Sequence, residues 1–177
     1  MLAASQRIRL SRVIAAVAVA AGLVLGLGTF DLQAGGKKSD SQVKITAVGS
    51  KIDADGNQNV LITLDINKGW HAYANPVGNP DLRPSQTVVK VLSKTQKAEI
   101  EYPKGKLHED KTLGDYKVFE GKVAIKAAVK RTAGDTSPLE LAVTLQVCND
   151  STCLLPATVK IAVKQILRRT GSVSDRR

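Results

Sequence analysis

Cys148 and Cys153 are the residues best suited to chemistry in this chain of 177 residues, and they are its only cysteines. Four residues separate them, Asn149-Asp150-Ser151-Thr152, and all four are turn formers. The pair is read as flanking a hairpin tip, where opposed residues bring their Cα atoms to about 4.5 Å, inside the reach of a disulfide. Two thiols alone make a poor structural zinc site, which takes four ligands. What they can do is cycle between dithiol and disulfide, or stay closed as a local staple.

The compartment bears on that choice. Arg7, Arg9 and Arg12 precede an apolar run over residues 13–30, and Asp31-Leu32-Gln33-Ala34 then offers a small residue for cleavage. Residues 1–34 are read as a secretory signal peptide or an uncleaved signal anchor, the run being rich in Ala and Gly for a spanning helix of roughly 20 apolar residues. No cysteine follows the run, which argues against a lipoprotein anchor. The mature chain is expected to be periplasmic or otherwise exported, held to the inner membrane only if residues 13–30 remain attached. In an oxidising compartment, two cysteines without a third pair with each other.

The elements that must position the pair read as strands. Residues 35–41 form a polar linker, and after it a period-two pattern runs almost throughout. Val43, Ile45 and Ala47 mark a first strand, and Val60, Ile62, Leu64 and Ile66 a second. Val89 and Val91, then Ile100 and Tyr102, mark two short ones, and Val123, Ile125, Ala127 and Val129 a longer one. Leu139 to Val147 is the cleanest run, and Val159, Ile161 and Val163 close the series. Seven or so short strands with turns between them predict an all-β fold, an antiparallel β-sandwich over residues 42–166. Residues 167–177 carry no apolar period and are read as a basic, disordered tail.

Parity along Leu139–Val147 puts the odd positions inward, so Cys148 falls on the face of Glu140, Thr144 and Gln146, away from the core. A sandwich disulfide built for stability crosses the core and closes a long loop. This one closes six residues, worth only ~2 kcal/mol by chain entropy. An outward, weakly stabilising pair at a turn suits exchange with a partner, and a local staple stands as the alternative. No helix N-terminus lowers a thiol pKa here, and Asp150 nearby would raise it. The pair therefore reads as donor and recipient in exchange with a more activated thiol.

Two stretches break the alternation. One is Gly69-Trp70-His71-Ala72-Tyr73-Ala74-Asn75-Pro76-Val77-Gly78-Asn79-Pro80; the other runs from Tyr102 through His108-Glu109-Asp110 to Tyr116. Each either plugs an end of the sandwich or lines a site. The formal charge of +10 falls to +8 on cleavage after Ala34. Lysines alternate with apolar residues as on a solvated strand face, without the clustered stacking aromatics of a nucleic-acid surface, so no nucleic-acid partner is expected. No glycine-rich phosphate loop follows a strand, and no cofactor or metal is called for.

These residues together resemble a known family. Gln146-Val147-Cys148-Asn149-Asp150-Ser151-Thr152-Cys153-Leu154-Leu155-Pro156 is similar to the active-site segment of the N-terminal periplasmic domain of the thiol:disulfide interchange protein DsbD. Gly69-Trp70-His71-Ala72-Tyr73, Tyr102-Pro103-Lys104-Gly105, and His108-Glu109-Asp110 with Gly114, Tyr116 and Phe119-Glu120-Gly121 match in order. The resemblance spans roughly residues 43–163. It implies an immunoglobulin-like sandwich whose cysteines receive electrons from a membrane electron transporter and pass them to periplasmic thioredoxin-like proteins. It makes Cys153 the position attacked by the upstream donor and Cys148 its partner. Asp110 to Gly114 would be the cap loop over the pair; the family often places aromatics there, and this chain has Thr112 and Leu113. Shielding would then be weaker, or fall to Trp70 and Tyr73, with His108 among the surroundings. The family's full-length members continue into a membrane domain and a thioredoxin domain, so for a chain ending at Arg177 the donor is expected to be a separate protein.

Two other readings compete. One is a non-catalytic sandwich that binds through the loops around Trp70 and His108, with an inert disulfide. The other is a periplasmic copper-handling domain using Cys148, Cys153 and His71 or His108, since Cu(I) accepts thiolate and imidazole.

Overall fold

The computed structural model describes residues 36–165 apart from 94–96, 133 and 136. The leader expected over 1–34 and the tail expected over 167–177 lie outside them. Among the described residues, no helix is long and apolar enough to cross a membrane. Twelve strand segments occur: β1 Val43–Gly49, β2 Asn57–Ile66, β3 His71–Tyr73, β4 Val88–Val91, β5 Lys97–Glu101, β6 Lys106–His108, β7 Tyr116–Glu120, β8 Lys122–Lys130, β9 Glu140–Leu145, β10 Val147–Cys148, β11 Ala157–Ala162 and β12 Lys164–Gln165.

They form an immunoglobulin-like β-sandwich. One sheet has the order β12-β1-β2-β8-β5, a second β11-β9-β4 and a third β10-β3-β7-β6. All pairings are antiparallel except β1 with β12. The strict alternation in β2 and β8 arises because one face of the large sheet packs and the other meets water. Val60, Ile62, Leu64, Ile125, Ala127 and Val129 project inward onto Leu141, Val143, Leu145 and Val147, with Ala72 and Phe119 of the third sheet completing this principal core.

The turn from the second sheet to the third decides where the site lies. β9 pairs with β11 and β4 as far as Leu145. At Gln146 the chain breaks step, and β10 pairs with β3, Val147 opposite Ala72 and Cys148 opposite His71. The expected single strand from Leu139 to Val147 is thus two segments serving two sheets.

The polar stretch 35–41 expected as a linker is tied down from Lys37 onward, whose carbonyl accepts the Leu155 N–H. Residues Ser39–Gln42 form a 3₁₀ turn, and Ser39 is fully buried. Its Oγ donates to the Leu155 carbonyl at 2.8 Å and accepts the Val147 N–H at 2.9 Å, closing the free edge of β10. Ser39→Ala leaves the Val147 N–H buried without an acceptor. The expected loss is about 1–3 kcal/mol, read as a lower urea midpoint at constant m; an unchanged midpoint would mean that the segment is no part of the domain.

Candidate functional site

β3 follows Gly69, which sits at φ +79°, and precedes the cis Asn75-Pro76 bond. Within it Ala72 faces the principal core, so His71 and Tyr73 share the opposite face. β10 follows the same rule: Val147 enters the principal core and Cys148 projects from the other side of the sheet. Cys148 does face away from the main core, as parity predicts. The expectation that it is thereby exposed fails. It is 3% accessible, packed with Tyr73, Val77, Tyr116 and Val118 in a second apolar cluster that Leu82 flanks. The segment after β3 and the strand β7 supply that cover, and neither follows from the pattern of β9 and β10.

The two cysteines are joined, with S–S 2.01 Å and Cα atoms 4.0 Å apart. They face each other as an antiparallel bridge. The Asn149 N–H donates to the Thr152 carbonyl and the Leu154 N–H to that of Val147, while the Asn149 side chain accepts the N–H groups of Ser151 and Thr152. The expected hairpin is therefore present. Cys153, unlike Cys148, is exposed. One cysteine of the bond is exposed and the other is buried in the fold.

Tyr73 reaches both sulfurs, its hydroxyl lying 3.7 Å from Cys148 Sγ and 3.9 Å from Cys153 Sγ. Disulfide sulfurs carry no hydrogen, so the hydroxyl is the donor. Burial, and then the Asp110 carboxylate, push the Tyr73 phenol above its ordinary value, so it stays protonated at neutral pH. Behind it runs a closed circuit of rings: Tyr73 to Tyr116 at 5.4 Å, Tyr116 to His108 at 4.8 Å, His108 to His71 at 5.4 Å and His71 edge-on to Tyr73 at 6.5 Å. His71 is lowered from its ordinary pKa by burial and then by His108, against the pull of Glu120 and Asp150.

The expected cap residues form an Asx turn. The Asp110 carboxylate accepts the N–H groups of Thr112 and Leu113 at 2.7 and 2.9 Å, which holds it below the usual carboxylate range. Gly114, at φ +78°, closes the turn with its N–H on the Asp110 carbonyl. Asn79 anchors it by donating to the Leu113 carbonyl at 2.7 Å. The Leu113 side chain itself is 52% exposed.

Trp70 does not join the rings. It packs partly buried against the principal core and lines a groove of about 580 Å³ with Lys68, His71, Glu120 and Asp150. Tyr116, Val77, Val118 and Asn79 belong to the surroundings although composition and spacing did not single them out as site residues. Among the described residues, no group of three or more His, Cys, Asp or Glu side chains is arranged to hold a metal ion, so the copper reading finds no support there.

The family described as "Thiol:disulfide interchange protein DsbD, N-terminal" matches residues 38–165. The chain belongs to the DsbD N-terminal domain family. Two solved structures are similar to this chain. The reduced DsbD N-terminal domain of Neisseria meningitidis is 16% identical, with 71% of this chain and 86% of that one covered and a TM-score of 0.48. The N-terminal periplasmic domain of ScsB from Proteus mirabilis is 15% identical with a TM-score of 0.51, over 68% of this chain and 46% of that one. The chain thus spans about half of that structure. No curated protein matches the chain. Family and disulfide together make this a thiol:disulfide exchange domain of the DsbD N-terminal type.

Proposed function

We propose that the domain is a periplasmic electron relay, taking two electrons from a membrane electron transporter and passing them to thioredoxin-like proteins through Cys148 and Cys153. The observation that carries this reading is the asymmetry of the bond: Cys153 is open to a partner while Cys148 lies in the cluster around Tyr73. A donor thiolate attacks Cys153 Sγ along the S–S axis, and the bond to Cys148 breaks. Cys148 leaves as a thiolate beside the Tyr73 hydroxyl, already 3.7 Å away to donate to it. A second donor thiol then releases the domain as a dithiol. Toward a client the steps reverse, Cys153 attacking the client disulfide and Cys148 resolving the mixed one. The Asp110–Gly114 turn serves as a cap beside the rings, with Thr112 and Leu113 at its tip and Trp70 and His108 in the surroundings.

The closed loop is too short to stabilise the fold strongly, so the bond is free to be labile. Equilibration with glutathione or thioredoxin redox buffers tests this. The expected potential lies above about −300 mV; a value below it would make the bond an inert hairpin staple and the domain a binding module.

A further inference from the structure

We infer that His71 is the proton acceptor for the buried sulfur, its Nε2 taking the proton from the reduced Cys148 thiol as that sulfur attacks; this rests on the exchange reading above. Three observations converge on it. Cys148 and His71 are opposite each other in the β10–β3 ladder, and because Val147 and Ala72 both enter the principal core, their own side chains share the other face. Directly opposed side chains of that kind have Cβ atoms about 4.5–5.5 Å apart. His71 is 8% exposed, and its Nε2 is buried with no hydrogen-bond partner. An orphaned buried nitrogen is uncommon and calls for a physical reason. The oxidised state offers one, because a disulfide sulfur has no hydrogen to give. Reduction places an S–H donor on Cys148, and the orphan gains its partner in that state.

The other groups facing His71 do not serve as this base. On β3 itself, Tyr73 stays protonated and acts as a donor. On β7, Tyr116 is likewise raised by burial, and Glu120 is exposed and paired with Lys106 at 2.8 Å. On β6, His108 stacks on the His71 ring, and at the hairpin Asp150 is exposed. Burial and the neighbouring His108 keep His71 neutral near pH 7, with a lone pair free.

The step balances within the domain and its client. In the mixed disulfide Cys153–S–S–client, His71 Nε2 accepts the Cys148 proton and the Cys148 electron pair forms the bond to Cys153 Sγ. The Cys153–client bond breaks, and the client sulfur leaves as a thiolate, two electrons richer. The imidazolium then returns the proton to the departing thiolate or to water.

Dithionitrobenzoate, a chromogenic aromatic disulfide, resolves this step in the reduced full chain. Its first equivalent of released thiolate reports the mixed disulfide at Cys153, and its second reports ring closure by Cys148. In His71→Asn and His71→Gln the first phase is expected to stay within about twofold of the native rate. The second should slow at least tenfold at pH 7, a floor set below the roughly 10²–10⁴-fold that a general base ordinarily contributes, and lose the inflection that His71 gives its pH profile. A second phase with native rate and native pH profile in these variants overturns the inference. Should neither variant fold, the native protein still decides. The His71 ring ¹⁵N signals are expected to shift between the oxidised and reduced states, and identical titrations in both states overturn the proposal. Failure of the native chain to release either equivalent would instead sink the exchange reading itself.

Discussion

Cys148→Ser is expected to accumulate a mixed disulfide through Cys153 at least tenfold more readily than Cys153→Ser does through Cys148. The reason is access. In Cys148→Ser the remaining sulfur sits on the exposed side of the hairpin, forms a bond with a partner sulfur, and has no second cysteine to resolve it. In Cys153→Ser the remaining cysteine, Cys148, is a residue only 3% accessible, packed with Tyr73, Val77, Tyr116 and Val118. A partner sulfur must approach in line to bonding distance, so that cluster has to open first. An opening free energy of only about 1.4 kcal/mol supplies a factor of ten, and local opening of packed side chains commonly exceeds that. Glutathione disulfide as a small probe and a periplasmic extract as a source of thioredoxin-like partners measure the two yields on non-reducing gels. Equal yields, or a higher yield from Cys153→Ser, would remove the asymmetry on which the relay reading stands. Capture of no partner by either variant would remove the relay itself.

The strands that could be read from the sequence are those with one wet face. β1, β2, β8 and β11 alternate because their outer positions meet solvent, as Lys126 and Lys130 do beside Ile125 and Val129; β9 alternates in residue type although its outer Ala142 is buried. The sheet that carries the site was far less legible. β3 is three residues long and buried throughout, too short for a period to register. β7 buries Tyr116, Val118 and Phe119 on both of its faces, which erases alternation. β6 has three residues, and the edge pair β12 two.

The site followed the same division. The Asn149–Thr152 turn and the pairing of the cysteines are local, and both were legible. Parity also placed Cys148 on the correct face, but parity is silent about what lies over a face. That cover comes from residues some thirty and seventy positions upstream, Tyr116, Val118 and Tyr73. Grouping Trp70 with Tyr73 as joint shields overlooked that residues three apart in a strand point to opposite sides. Once β3 is known, the same rule sends Trp70 toward the principal core and pairs His71 with Tyr73 at the disulfide.

That dependence of the site on its covering strands makes Gly105→Ala a small change with a large expected effect on the site. A Cβ at Gly105 would lie 2.6 Å from the Ala74 Cβ and 2.9 Å from the Lys117 Cβ, with the Val118 carbonyl oxygen at 3.3 Å. Neither Cβ can swing aside as the end of a long side chain can, so backbone has to move. The movement falls where the cover is held: the Ala74 N–H donates to the Lys117 carbonyl and the Lys117 N–H to that of Val77, and β6 begins one residue later, pairing Lys106 with Val118 and His108 with Tyr116. Overpacking of this kind is expected to cost about 2–3 kcal/mol and to lower Tm by roughly 6–15 °C. Exposed Lys104→Ala should stay within about 0.5 kcal/mol of the native protein. The same shift separates β7 from the segment after β3, so Cys148 in the reduced variant should alkylate with iodoacetamide several-fold faster. A Tm within about 2 °C of native with unchanged alkylation would mean that the close approach at Gly105 does not hold the cover over Cys148.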